Sequence, residues 1–277
     1  MTTAPLADTL PKLDHGGRVT QLRVALSEWT KLRSVRSTLW SLGVAVFITI
    51  ALPCAFAAVT KSHWNNLSPG ERLDRYHNRV AISTAGVNLS QLAIAVLAVL
   101  TVTAEYSTGM IRASFTAVPK RLPVLWAKLG VFSLVTLALT IPSVFIAYFA
   151  SRALLPSVLH TSLSDSGVFR TVLGSALYLT VIGIFSMALG AIVRNTAAGI
   201  SAFVAIFFVI PPLLSLGLPS NWNDAINPYL PNDAARDIFQ LTHGSHSFAP
   251  LPGFLIFLGY CAAAIAIAAI LLRRRDT

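Results

Sequence analysis

The sequence predicts an all-α polytopic membrane protein with six transmembrane helices, and three observations carry this prediction. First, 55% of the 277 residues are hydrophobic and 12% are charged, with a mean hydropathy of +0.68, outside the range of soluble globular proteins. Second, six apolar segments reach the roughly 20 residues that a helix needs to cross ~30 Å of hydrocarbon. Third, these segments are continuously apolar, whereas the strands of a membrane barrel alternate polar and apolar residues.

An amphipathic helix is predicted over residues 19–38, directly before the first span. Its apolar residues recur at helical spacing, and basic residues occupy the rest of its surface. The apolar positions are Leu22, Ala25, Leu26, Trp29, Leu32 and Leu39, and the basic ones are Arg23, Lys31, Arg33 and Arg36. This pattern is typical of a helix that lies in the membrane interface, here connected to the first span. Residues 1–18 have no early apolar core, so we expect a flexible tail without a cleaved signal peptide, and a first span that serves as a signal anchor.

The predicted spans follow in chain order and are connected by more polar segments. They are 39–60, 82–103, 124–150, 171–193, 197–218 and 250–272, and a basic tail, 273–277, ends the chain. With the N-terminus inside, fourteen of the 21 Lys and Arg residues fall on the inner side, so both termini are predicted to face the cytoplasm. The basic net charge then reflects topology, and we expect no nucleic-acid partner.

Span 2 contains a stripe of polar residues. Thr84, Asn88 and Gln91 recur at spacings of four and three, which places them on one face of a helix. Unsatisfied polar groups facing lipid cost several kcal/mol each, so this face should contact protein or a cavity. Hydrogen bonding between helices and contact with a transported substrate both remain open for these three residues.

A charged segment, EYSTGMIRASFTAVPKR at 105–121, separates spans 2 and 3 on the predicted cytoplasmic side. Glu105 marks the residue at which span 2 leaves the hydrocarbon, and Pro119 stops the helix that follows. Between them an apolar face of Met110, Ile111, Phe115 and Val118 opposes Arg112. The pattern predicts a short amphipathic segment that lies on the membrane surface or docks into another protein. A simple interfacial loop with topology charges is the alternative.

Four stretches together resemble the permease subunits of type-2 ATP-binding cassette (ABC) exporters, particularly the small actinobacterial kind. They are SEWTKLRSVRSTLW, NLSQLAIAVLAVLTVTAEYSTGMIRASFTAVPKR, GAIVRNTAAGI and the final RRRDT. The second is the most specific, because the family shows there an acid, a glycine, an arginine, a proline and a basic residue. In this chain the pattern falls on Glu105, Gly109, Arg112, Pro119 and Arg121.

This resemblance implies a multi-pass protein of the bacterial plasma membrane that works in efflux, including antibiotic resistance. It implies that 105–121 is a cytoplasmic coupling helix between helices 2 and 3, and that 19–38 is the connecting helix. Two ATPase subunits would bind, together with a second permease copy or a related permease, in contact with membrane lipid. The phosphate-binding sequence G-x-x-x-x-G-K-[ST] does not occur in the chain, so ATP and Mg are expected on the partner and no cofactor in this chain. An amphipathic drug, antibiotic, peptide or lipid is the expected substrate.

The residues give less support to other functions. The spans offer no acid besides Glu105 and no histidine, so we predict no catalytic residue and no enzyme. His243 and His246 lack a third ligand nearby, which argues against a metal site. A secondary transporter should show paired broken helices, yet Pro211-Pro212 has no counterpart in the first half. A membrane immunity or scaffold protein without an ATPase partner stays open as the alternative.

Overall fold

The protein is an all-α membrane protein with six spans, which confirms the predicted fold class. A computed structural model describes residues 20–109, 121–241 and 247–274. Within these ranges six helices are long and apolar enough to cross a membrane, and there is no β-strand. Numbered spans 1 to 6, they are Arg36–Asn66, Arg79–Ser107, Leu122–Leu154, Val168–Val193, Thr196–Gly217 and Pro250–Arg274.

The α-helices of the described residues follow in chain order. They are α1 Gln21–Ser34, α2 Arg36–His63, α3 Pro69–His77, α4 Arg79–Thr84, α5 Val87–Ser107, α6 Arg121–Leu154, α7 Val168–Val193, α8 Thr196–Val204, α9 Ile210–Gly217, α10 Ser220–Ile226, α11 Pro231–Arg236 and α12 Pro250–Arg274. Two spans are interrupted. Span 2 consists of α4 and α5, and span 5 consists of α8, a π-helical turn at Ala205–Val209, and α9.

Span 4 forms the centre of the bundle and is the most deeply buried of the six. Its Tyr178 and Ile182 are fully buried in a core that includes Ile94 of span 2 and Phe257 of span 6. Gly183 of span 4 faces the ring of Phe132 of span 3, where a Cβ atom would lie 2.6 Å from Cε1 of that ring. Small residues on span 4 therefore let the neighbouring helices approach closely, as is common in membrane bundles.

Helix α1 rests against the beginning of span 3. Val24 packs with Val124 and Ala127, and the Gln21 side chain donates a hydrogen bond of 2.9 Å to the Pro123 carbonyl oxygen. A single extended residue, Val35, separates α1 from span 1. The sequence predicted one interfacial helix through residue 38 and a span from 39. Instead the chain turns at Val35, and span 1 begins three residues earlier than predicted.

Two helical starts follow the sequence chemistry closely. Ser68 and Glu71 form the capping box that begins α3, with Pro69 in the first turn. Spans 4 and 5 are joined by a tight turn in which Arg194 adopts a left-handed φ of 58° and Asn195 caps α8 by accepting from the Ala198 amide. The turn lies at the end of the bundle that carries α1, which is called the α1 end below. The Arg194 guanidinium covers the ring of Tyr106 in span 2, 5.0 Å from the centroid.

Candidate functional site

Four charged side chains from three helices meet at the α1 end and form an ion cluster. Glu28 and Lys31 belong to α1, Glu105 lies in the last turn of span 2, and Lys128 lies near the beginning of span 3. Lys128 Nζ is 2.6 Å from Glu28 Oε2 and 2.9 Å from Glu105 Oε1. Lys31 Nζ is 2.6 Å from Glu28 Oε1 and 2.9 Å from Glu105 Oε1. The two lysines therefore share the two carboxylates in a closed ring.

The ion cluster is shielded from solvent. Glu28, Glu105 and Lys128 are 3%, 6% and 8% exposed. Charges buried to this degree are tolerated only when they are paired and hydrogen-bonded, and two acids with two bases satisfy that requirement. Burial lowers the pKa of the Lys31 ammonium, but the hydrogen bonds and charges of Glu28 and Glu105 outweigh this effect, so its pKa lies above its ordinary value.

Local helix geometry explains how the cluster assembles. Glu28 and Lys31 are three residues apart and so lie on the same side of α1, next to the face on which Val24 contacts span 3. Glu105 precedes Gly109, whose left-handed φ of 71° ends span 2, and Lys128 follows in the second turn of α6. The residues on either side of the connection between spans 2 and 3 are thus tied to each other and to α1.

The predicted coupling residues are only partly described. Glu105 is a member of the ion cluster, and Gly109 forms the left-handed end of span 2. Arg112 and Pro119 lie outside the described residues, as does the side chain of Arg121, whose backbone begins α6. His243, His246 and residues 1–18 are likewise outside them.

Sequence reasoning missed Glu28 as a functional residue and counted Lys128 only as a topology charge. One signal was available, because Glu28 is the single acid on an otherwise basic amphipathic helix. An acid at such a position has no topological use, which points to a specific cationic partner.

A cavity of about 340 Å³ lies beside the ion cluster at the α1 end. Its wall includes the four charged residues and short hydroxyl side chains of spans 1 and 2, among them Ser37, Ser41 and Thr101. The Oε2 atom of Glu105 is buried and has no hydrogen-bond partner in the described part of the chain. The cluster therefore borders a cavity, and its side chains can change position without displacing closely packed core residues.

The polar stripe of span 2 is divided by the structure. Thr84 belongs to α4, ahead of the break at residues 85–86, and its hydroxyl donates within that helix to the Ala81 carbonyl oxygen. Gln91 is buried, accepts from the Tyr178 hydroxyl of span 4, and donates 3.0 Å to the backbone oxygen of Asn88. Only the Asn88 side chain is exposed. Gln91 therefore connects helices, while Asn88 is available to a ligand.

A second cavity of about 340 Å³ lies at the opposite end of the bundle, between spans 2 and 5. Its lining combines polar side chains with the proline-containing part of span 5: Asn88, Gln91, Phe207, Phe208, Pro211, Pro212, Ser215, Asn227, Asn232, Asp233 and Arg236. Asn227 Oδ1 and Arg236 Nε are buried and lack a hydrogen-bond partner within the described residues. Burial raises the pKa of the Asp233 carboxyl, and the nearby Arg236 partly offsets this effect.

Taken together, the ion cluster can transmit force between helices, and the opposite cavity can hold a polar or amphipathic molecule. Among the described residues no group of three or more His, Cys, Asp and Glu side chains could hold a metal ion. No protein-family model matches the chain, and no curated protein matches it. Its function therefore has to be inferred from its own residues and their geometry.

Proposed function

We propose that the chain is the permease subunit of an ATP-driven exporter of the type-2 ABC class, with the ATPase in a separate chain. The observation that carries this proposal is the ion cluster, because it ties α1 to the residues on both sides of the segment that would dock on the ATPase. A protein whose spans 2 and 3 were joined by a passive loop would have no need for a cluster of four charges there, three of them buried.

The proposed mechanism starts at the connection between spans 2 and 3. An ATPase pressing on residues 110–120 displaces Glu105 and Lys128 together, because they form an ion pair of 2.9 Å. Both are also bound to α1, Glu105 through Lys31 and Lys128 through Glu28. The displacement passes along span 2 to Asn88 and Gln91, which line the cavity between spans 2 and 5. This second cavity is called the polar cavity below. The π-helical turn Ala205–Val209 and the following Pro211-Pro212 weaken span 5 at that level, so this half of the span can bend.

The proposed setting follows from the same assignment. The α1 end faces the cytoplasm of a bacterial cell, where the ATPase subunits bind, and the polar cavity opens towards the outside. Two permease chains, identical or related, enclose the transport path, and ATP with Mg is bound by the ATPases. The substrate is an amphipathic drug, antibiotic, peptide or lipid, because the polar cavity offers both prolines and phenylalanines and unpaired hydrogen-bonding groups.

A pull-down from native membranes tests this proposal. The tagged protein is extracted in mild detergent and its partners are identified by mass spectrometry, in the wild type and in the Arg112→Glu variant. We expect an ATPase with a phosphate-binding loop to co-purify near one-to-one, and to be lost with Arg112→Glu because the docking segment then carries the wrong charge.

The matched control is Arg273→Glu, which makes the same charge change at an exposed position near the end of span 6. This variant should retain the ATPase. A wild-type chain that purifies without any ATPase would contradict the proposal and favour an immunity, scaffold or secondary-transport protein. Equal loss of the ATPase in both variants would show a general charge effect and would also contradict the docking role of Arg112.

A further inference from the structure

We propose that the groove between α1, span 1 and span 3 is a binding site for one anionic phospholipid, with an acyl chain in the groove and the phosphate on Arg33. This lipid groove is separate from the ion cluster and from the polar cavity. The proposal does not depend on the transport function, because it concerns only the contact of α1 with the membrane.

The groove is a large apolar depression of about 600 Å³. Its walls are the apolar residues of α1, the beginning of span 1 and one side of span 3, including Leu26, Leu42 and Val135. Arg33 is the single charged residue of its lining. Several rim residues are highly exposed, and Leu134 of span 3 is 69% exposed. An apolar surface of this kind in a membrane is in contact with hydrocarbon, and its concave shape favours one ordered chain.

The groove has the depth of one leaflet. Its span 3 wall runs from Val131 to Leu139. At a helical rise of 1.5 Å per residue, this wall is about 12 Å long, close to the ~15 Å that half of the hydrocarbon core measures. The wall begins three residues beyond Lys128, just below α1. A lipid whose headgroup lies at the level of α1 can therefore place much of an acyl chain against span 3.

Arg33 gives the groove its selectivity for an anion. With Leu22, Leu26 and Trp29 it follows the spacing four, three, four, so it lies on the apolar face of α1 and not on the polar face. The sequence had suggested that all four basic residues of this region lie away from the apolar face, and for Arg33 this was wrong. Lys31 of the same helix is bound in the ion cluster, whereas Arg33 forms no ion pair within residues 20–109, 121–241 and 247–274.

The surroundings of Arg33 favour a phospholipid over other anions. A guanidinium at the edge of hydrocarbon is stabilised by a phosphate that binds its fork of donors, and no acidic residue lines the groove to compete. Free phosphate would satisfy Arg33 but would leave the apolar walls without a partner. A phospholipid satisfies both, and Trp29 beside Arg33 is the residue type that marks the headgroup level of a membrane.

Lipid titration monitored by native mass spectrometry tests the proposal on the full-length protein in detergent. The probes are palmitoyl-oleoyl phosphatidylglycerol, the zwitterionic phosphatidylcholine with the same chains, and inorganic phosphate. We expect one high-affinity phosphatidylglycerol per chain. The Arg33→Gln variant should bind it about fivefold more weakly, the factor that corresponds to one basic residue at a membrane surface. Phosphatidylcholine binding should fall less, because the choline ammonium of that lipid already compensates the charge of its phosphate.

Two further variants keep the test decisive. Arg23→Gln removes a basic residue from the exposed polar face of the same helix, outside the groove, and should leave phosphatidylglycerol binding as in the wild type. Leu134→Trp adds bulk to the exposed wall of the groove and should weaken the binding of both lipids.

Several outcomes would overturn the assignment. Equal losses for Arg33→Gln and Arg23→Gln would show a diffuse charge effect without a site. Competition by inorganic phosphate as strong as that by phosphatidylglycerol would identify a simple anion site. A change of oligomeric state in Leu134→Trp with lipid binding intact would show that a second copy of the chain occupies the groove.

Discussion

At the level of single residues, the ion cluster depends most on Glu28. Its two carboxylate oxygens bind both lysines, each at 2.6 Å, and the side chain is almost completely buried. Replacing it with glutamine keeps the shape but leaves two ammonium groups to share Glu105. Breaking a buried pair in this way costs about 3 to 5 kcal/mol, because an uncompensated charge stays buried.

We therefore expect the Glu28→Gln variant to unfold at a clearly lower temperature than the wild type in detergent. The double variant Glu28→Gln with Lys128→Met should recover much of the loss, since it removes the buried charge along with its partner. Thermal unfolding of the three proteins, followed by circular dichroism, measures both effects. A double variant less stable than the single one would contradict the description of the cluster as a paired set.

The residues of the cluster also show what sequence reasoning can reach. Glu105 was singled out because it marks the residue at which span 2 leaves the hydrocarbon and because it matches the acid of the family pattern. Glu28 and Lys128 were not, since each looked like an ordinary interfacial charge within its own segment. Their pairing joins residues 100 positions apart in the chain. This contact forms because α1 docks against span 3, and the periodicity of each segment by itself does not predict that docking.

At the level of elements, spans 1 and 2 make a close backbone contact that requires a glycine. A Cβ atom on Gly86 would lie 2.6 Å from the Thr49 carbonyl oxygen and 2.8 Å from that of Ile48. One turn further, the hydroxyls of Thr49 and Ser90 form a buried hydrogen bond of 2.7 Å. The break between α4 and α5 therefore lies where span 2 touches the backbone of span 1.

Gly86→Ala should separate spans 1 and 2 and destabilise the protein by about 1 to 3 kcal/mol, the usual cost of overpacking. The matched control is Gly130→Ala in span 3, because the added methyl group would meet no atom within 4 Å and alanine favours a helix. Unfolding temperatures in the same detergent compare the two. A Gly86→Ala protein as stable as Gly130→Ala would show that span 1 can move aside at no cost.

The positions of the membrane spans could be predicted from the sequence, whereas the interruptions within and between helices could not. All six spans were expected from length and hydropathy alone. The extended residue Val35 was not foreseen, because nothing in its type marks it as a breaker. The sequence indicated no break in the first half to match Pro211-Pro212, and this was wrong, because span 2 is interrupted at residues 85–86. The break lies at the contact of Gly86 with span 1.

At the level of the whole molecule, the two ends of α5 have different surroundings. Its last turn is bound in the ion cluster, and the beginning of α5 lines the cavity that it shares with span 5. At the wall of that cavity, Gln91 fastens span 2 to the buried Tyr178 of span 4. Motion received at the α1 end can therefore reach the opposite cavity through one packed helix, and Asn88 is the first side chain of that helix exposed to a ligand there.

The sequence placed Asn88 and Gln91 on one polar stripe, but the structure predicts different effects of replacing them. One substitution should leave the unfolding temperature unchanged, and the other should lower it. Asn88→Leu removes an exposed amide that only lines the cavity, so the protein should unfold at the wild-type temperature. If the chain is the proposed exporter subunit, its preference among substrates should change. Gln91→Leu leaves the buried Tyr178 hydroxyl without an acceptor, which costs about 1 to 3 kcal/mol, so it should lower the unfolding temperature.

The measurement combines thermal unfolding with the ATPase activity of the reconstituted complex, stimulated by a panel of amphipathic compounds. Leu89→Ala serves as the control, because Leu89 is exposed next to Asn88 but does not line the cavity, and its compound profile should match the wild type. An Asn88→Leu protein with an unchanged profile would exclude the cavity between spans 2 and 5 from the substrate path. Unfolding at the wild-type temperature in Gln91→Leu would show that the hydrogen bond to Tyr178 does not hold spans 2 and 4 together. The stability change and the profile change thus separate a residue that joins helices from one that would contact the substrate of the proposed exporter.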